Sequence, residues 1–481
     1  VAGAAISNFS PDIRHAARLK KACPAAAPRG TARRGRRDLG KPGESTETAR
    51  MTHDMPPFLR AAFLVLGLSF ASGLPAAPAH AADLAIPQAT LDKGKGGKVT
   101  FKNVTLKDCN LSQDEATKLF SGALPPEDAA AMVQRMTAGE ARIAEIDLET
   151  GAGDRLTVKD IVAEKVAGGG AQTLTVASTD GVVPDDAGDS TLHFGTLRID
   201  RVSLVDLADA LRAGDPARAA LRFSHMSWDG GDLTAVDKGT PAGAPGGNRI
   251  ALHLGPARVD QNFDAHGAPL DAAASLTGVS LKMPPESRLG AVLNAYGYPQ
   301  IDADLTIDGA YDPATRTYQL KNYAIDLKKI GRVAISAQFS GLKETAFLGD
   351  KEAREKAILD ATLDWARIEV DNTGLFDKVV AFASLSQGKT PASVKEDWRA
   401  IIAQAPLLFS GAPVIAIVAK ELERFVADPK VLTLTIKGKG SPLKVSEFVH
   451  IDDPTDFLNR LDVTGAPAPA KPAKSTAGTK L

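Results

Sequence analysis

Cysteine is almost absent from this chain, with two in 481 residues, Cys23 and Cys109. Neither sits in a C-x-x-C pair, so a disulfide framework, a zinc ribbon and a dithiol redox motif are all excluded. Aromatics make up only 5%, and the three tryptophans, Trp228, Trp365 and Trp398, are far apart. That scatter offers no stacking platform for sugars or bases, and core packing is the default role of each. The formal net charge is −1 with no basic stripe, which speaks against a nucleic-acid partner.

Motifs that name a reaction are missing as well. There is no G-x-S-x-G elbow, phosphate-binding loop or dinucleotide fingerprint, and Gly168–Gly170 reads as a turn. His193, His225, His253, His266 and His450 form no H-x-x-x-H pair. The first three fall at polar positions of strand-like segments, where a solvated imidazole is expected. Asp302, Asp304, Asp308 and Asp312 in IDADLTIDGAYD are the best candidate for calcium, but their spacing departs from an EF-hand loop. Alternation explains Asp302 and Asp304 as the outer face of a strand. The residues thus predict no catalytic group, no cofactor and no metal ligand.

What is present begins with an export signal. Arg60 precedes the apolar run Ala61–Leu74, and Ala79-His80-Ala81 supplies small residues for cleavage before Ala82. The run is shorter than the ~20 residues of a spanning helix and is followed by Pro75 and Pro78, so no membrane span is expected after cleavage. Residues 1–50 read as a mis-called start, with Met51 the initiator. Twelve of the 57 basic residues and five of the 58 acidic ones lie in residues 1–81, leaving the remainder near −8. Cys109 is then the single cysteine, read as a core or edge residue. The C-terminus from 463 to 481, rich in Ala, Pro and Lys, reads as a disordered tail.

The strongest internal signal is a recurrent eight-residue pattern, apolar-x-apolar-x-x-apolar-x-apolar. It occurs as VTFKNVTL at Val99, LRIDRVSL at Leu197, LRFSHMSW at Leu221, LHLGPARV at Leu252 and ASLTGVSL at Ala274. Looser copies are ARIAEIDL, LTVKDIVA, YQLKNYAI and LDWARIEV. Spacing of two marks a strand with one apolar face, and the double step reverses parity. A bulge at that step returns both apolar pairs to one face and bends the strand. Asp312-Pro313-Ala314-Thr315 predicts a hairpin turn.

Short amphipathic helices are predicted where apolar residues recur at 3.6 spacing. They carry Ala116, Leu119, Phe120 and Ala123 behind a Ser112/Glu115 capping box, then Leu204, Leu207, Ala208 and Leu211. Leu289, Val292, Leu293 and Tyr296 form a third stripe, and Phe376, Val379, Val380 and Ala383 a fourth. Thr390-Pro391 opens a helix with Val394, Trp398, Ile401 and Ile402, and another runs from about Pro413 to Val426. The fold class is therefore α+β: long, bent, mainly antiparallel sheet with short amphipathic helices on a face or closing an end, and a more helical C-terminal third. The β-rich regions are 82–240 and 250–462, divided by DKGTPAGAPGGN from Asp237.

Across residues 95–450 the LRIDRVSL-type strands resemble the large exported β-rich proteins of Gram-negative bacteria and, more distantly, AsmA-like and YdgA-like envelope proteins. The resemblance implies a twisted sheet with an apolar groove and a role in handling lipid or maintaining the envelope. It transfers no catalytic residue. The chain departs from AsmA-like proteins in losing its N-terminal anchor by cleavage. Two readings stay open: a non-enzymatic periplasmic or secreted protein holding lipid or another apolar ligand in a groove, and an interaction scaffold with a filled core that meets an envelope protein. A hydrolase is a third reading without a residue behind it.

Expressed from Met51 and recovered from periplasm, the protein should have an intact mass that starts at Ala82. A mass retaining the segment 51–81 would overturn the cleavage reading.

Overall fold

The computed structural model describes residues 82–465 except 95–96, 186–187, 204–221, 241–242, 245–246, 349–350, 409–411, 450 and 452–453. The leader, the signal segment with Ala79 and Ala81, the stripe Leu204–Leu211, His450 and the chain from 466 lie outside the described residues.

The fold is α+β, and its strands form one antiparallel sheet. The N-terminal part runs β1 (Ala82–Gly94), β2 (Gly97–Cys109), α1 (Gln113–Ser121), α2 (Pro126–Arg135), β3 (Ala138–Glu149), β4 (Arg155–Val166) and β5 (Gly170–Val183). Short strands follow: β6 (Ser190–Phe194), β7 (Leu197–Ser203), β8 (His225–Trp228), β9 (Gly231–Val236), β10 (Arg249–Leu254) and β11 (Ala257–Phe263). Long strands resume with β12 (Pro269–Lys282), α3 (Arg288–Ala295), β13 (Gln300–Asp312), β14 (Thr317–Leu327) and β15 (Gly331–Ser340). Then come α4 (Thr345–Leu348), α5 (Lys351–Asp360), β16 (Thr362–Asn372), α6 (Leu375–Gln387), α7 (Pro391–Leu408), α8 (Pro413–Ala427) and β17 (Val431–Gly438). The described chain ends with β18 (Leu443–Lys444), α9 (Val445–Val449), α10 (Pro454–Asn459) and β19 (Leu461–Gly465). Val463, assigned by composition to the tail, instead pairs with Ile436 in β19.

Each long strand pairs with its neighbour in sequence, as short connections favour. Between β5 and β12 three positions in the sheet are each filled by two short strands on one line: β6 with β7, β9 with β8, and β10 with β11. Only two residues separate the members of each pair: Gly195-Thr196, Asp229-Gly230 and Gly255-Pro256.

These breaks explain the eight-residue pattern. The predicted bulge is present at β12–β13, where Leu276 pairs with Leu305 but Val279 pairs with Ala303. From β1 to β5 the pairing instead resumes in the same register on both sides of the double step, skipping Pro87, Asn103, Ala144, Asp160 and Ala177. No residue is inserted relative to a neighbour, because the neighbour carries the same step at the same level. Left-handed residues turn the chain there, with φ 51° at Asn103, 47° at Asp160 and 68° at Gly278. Asn and Asp tolerate that region better than other side chains. Val99, Phe101, Val104 and Leu106 are all buried, as expected if both pairs of VTFKNVTL serve one core.

Local signals hold the periphery. Ser112 accepts from the Glu115 N–H, and Glu115 accepts from the Ser112 N–H at 2.8 Å, completing the capping box of α1. The Ser112 N–H, then the Arg135 guanidinium, hold the Glu115 carboxyl down at about 2. At the β13–β14 turn Asp312 accepts from the Ala314 N–H and the Thr315 hydroxyl. Backbone crowds the break line: a Cβ on Gly255 would stand 2.1 Å from the Thr277 carbonyl oxygen.

Gly255→Ala is therefore expected to cost about 2–4 kcal/mol in urea unfolding. Gly243→Ala, which meets nothing within 4 Å, should leave the midpoint unchanged.

Candidate functional site

In an antiparallel sheet, residues directly opposite one another project from the same face. Following such pairs strand by strand traces a continuous apolar row. It starts with Leu84, Leu106, Ala141, Ala163, Leu174 and Ile199. It continues without interruption through Met226, Val259, Ala274, Ile307, Tyr323, Ile335, Ile368 and Leu434. A second row runs Ile86, Val104, Ile143, Ile161, Val176, Leu197 and Trp228, then Ala257, Leu276, Leu305, Ile325, Val333, Val370 and Leu432. A third, across the break line, joins Val99, Leu148, Leu156, Gly181, Leu192, Leu233, Leu252, Leu281 and Ile301. With strands ~4.8 Å apart, the first two rows extend about 60–65 Å across the sheet.

The rows are not equally covered. In β1–β5 their members are buried, and Phe120 of α1 meets Phe101 edge-on at 5.5 Å. At the other end α8 covers the sheet with Ala412, Val414, Ile415 and Val418 against Leu434 and Ile436. Between these ends, from β8 to β16, most row members are only part-buried, and Val333 is 40% exposed against 1% for Val104 of the same row. At one end of these strands Tyr311 is buried against Phe347 of α4 and Leu342, while the row members are flanked by cross-strand neighbours and stay part-buried. The open stretch spans seven strand positions, about 30 Å.

The opposite face is polar and held by ion pairs. Asp147, Thr157, Asp180, His193, Asp232, His253, Ser280 and Asp302 lie directly opposite one another in succession. His193 Nδ1 lies 2.7 Å from Asp180, His253 Nδ1 2.8 Å from Asp232, and His225 Nδ1 2.7 Å from Asp260. The His193 bond, then Lys159, hold Asp180 below the usual carboxylate range, and Arg258 does the same for Asp260, followed by His225. Asp304 is lowered by Lys328 and by the Gly278 N–H. A hollow of about 440 Å³ on this face is lined in part by Thr157, Asp180, His193, Thr191 and Thr234. Its polar groups bond to one another: Asp180 with His193, and the Thr191 hydroxyl with that of Thr234 at 2.7 Å.

The calcium candidates do not converge, since Asp304 pairs with Lys328, Asp308 with Lys321, and Asp312 serves its own turn. Among the described residues no three His, Cys, Asp or Glu side chains are grouped to hold a metal ion. Cys109 is buried, and burial raises its thiol. Ala82, the residue after the predicted cleavage point, opens β1 opposite Cys109. Trp228 packs edge-on against Phe194, and Trp398 against Phe376. Among the described residues no helix is long and apolar enough to cross a membrane.

A family described only as "Uncharacterized protein" matches residues 324–466, from within β14 to the end of β19. No curated protein matches the chain.

Two substitutions in one row test whether the face is open. Val104→Asp should destabilise by about 3 kcal/mol or more, because it buries an unpaired carboxyl. Val333→Asp should cost under about 1 kcal/mol in the same unfolding assay. Equal losses would mean that β15 is as covered as β2.

Proposed function

We propose that the protein is an exported, non-enzymatic carrier that lays an extended apolar chain, a lipid acyl group, along the open stretch of its apolar face. The observation behind this reading is the pair of unbroken apolar rows, covered by packed helices at each end and only part-buried between them. About 30 Å of open track is twice the half-thickness of a bilayer's ~30 Å hydrocarbon core, so one extended acyl chain fits within it. The polar groups of the opposite face are committed to ion pairs and solvent. The sequence supports a periplasmic location through the apolar run Ala61–Leu74 and the small residues before Ala82.

A fluorescent long-chain fatty acid should bind the purified protein saturably with an enhanced, blue-shifted emission. Leu305→Asp, in the middle of the open stretch, should weaken binding at least tenfold, whereas Asp308→Asn on the polar face should leave it unchanged. No saturable binding by the unaltered protein would overturn the carrier reading and favour the scaffold.

A further inference from the structure

One long edge of the sheet carries a surface that the track alone does not require. Three segments meet there. Tyr296, at the end of α3, packs at a tilt against Phe382 of α6 with ring centroids 5.2 Å apart. The Lys378 ammonium lies 3.6 Å from the Tyr298 ring centroid, and the Tyr298 hydroxyl donates to the Lys329 carbonyl at 3.1 Å. The N–H of Leu375 donates to the Ile330 carbonyl at 3.2 Å, tying the start of α6 to the β14–β15 turn. Together α3, α6 and that turn form one knitted edge.

Its outer side is apolar. Leu289 and Val292 are each 48% exposed, Phe382 45% and Leu385 84%. The stripe of α3 that the sequence predicts to lie against protein thus faces partly outward.

The charge around it is one-sided. Residues 282–300, 328–332 and 373–390 carry seven cations, Lys282, Arg288, Lys328, Lys329, Arg332, Lys378 and Lys389, against two acids, Glu286 and Asp377. The chain as a whole is at −1, so this edge is a basic island. Lys328 and Arg332 meet carboxylates of the neighbouring strands, and Lys389 meets Asp397 at 2.6 Å. The side-chain charges of Lys282, Arg288 and Lys329 meet no carboxylate among the described residues. Exposed Leu, Val and Phe side chains on segments that also carry three unpaired cations match the interface of an anionic bilayer, apolar groups entering the headgroup boundary and cations resting on phosphates. A protein partner would need acids to meet those cations as well as an apolar pocket.

We infer that the α3–α6 edge docks reversibly on an anionic lipid surface, the source or destination of the acyl chain. This inference rests on the carrier reading for its purpose, but not for its test. Vesicle flotation at low ionic strength should recover the purified protein with phosphatidylglycerol-containing vesicles and not with phosphatidylcholine alone. L289S/V292S/L385S and K282Q/R288Q/K329Q should each lose binding, the second on the order of a hundredfold, since each cation near an anionic surface contributes about a kilocalorie. Far-UV circular dichroism and melting temperature establish that both variants are folded. Leu305→Asp should float like the unaltered protein while failing to hold the fluorescent fatty acid. Failure of the carrier reading alone would leave flotation intact. Docking is overturned if the unaltered protein ignores anionic vesicles, or if either folded variant floats as well as it does. It is equally overturned if the apolar variant only dissolves a self-associated species seen by size exclusion, which would assign the patch to a second copy.

Discussion

Register is the constraint on which the structure rests. Every strand must pair so that its apolar residues meet those of its neighbour, because a slip of one residue would turn a whole set of Leu, Ile and Val to the polar side. The double polar step sharpens that demand. A strand that carries it can pair along its full length without a bulge only with a neighbour that steps at the same level. From β1 to β5 the chain satisfies this rung for rung, and between β6 and β11 it does so by interrupting each strand at two residues. Where β13 omits the step, its partner β12 bulges instead.

The energetics differ along the same face. Near β1–β5 the rows are sealed under α1 and neighbouring groups, and their burial at ~25 cal/mol per Å² is the main local source of stability. Over β8–β16 the same side chains are only part-buried, so that section relies more on ladder hydrogen bonds and on ion pairs of the outer face, such as Arg332 with Glu369 and Asp371. Exposed pairs of this kind contribute little individually. A sheet built this way is firm at its ends and leaves its middle available for apolar contact.

Much of this was legible in the chain. Three strict copies of the pattern lie on β2, β10–β11 and β12, residues 197–203 of a fourth form β7 and residues 225–228 of the fifth form β8, and the capping box, the Asp312-Pro313 turn and the Pro391 and Pro413 helix starts stand where their residues place them. The placement of His193, His225 and His253 on the polar face followed from alternation alone. What alternation does not contain is alignment between strands, because turn lengths decide which step faces which. The continuity of the rows, the site's defining property, was therefore hidden. So was the outward side of α3: 3.6 periodicity shows that Leu289 and Val292 share a face, but not whether that face meets protein or solvent.

The apolar rows run across the strands rather than along them, and this separates the size of the track from the size of any one element. Inserting a hairpin that keeps the step at its proper level lengthens the track by two strand spacings, about 10 Å, and disturbs only the two strands it comes between. The width of the apolar face can thus be changed by duplication of a unit of roughly thirty residues, with the capping helices at either end retained, much as repeat proteins grow by whole units. For a descendant of this chain, the width of the apolar face and the number of its hairpins are one heritable quantity.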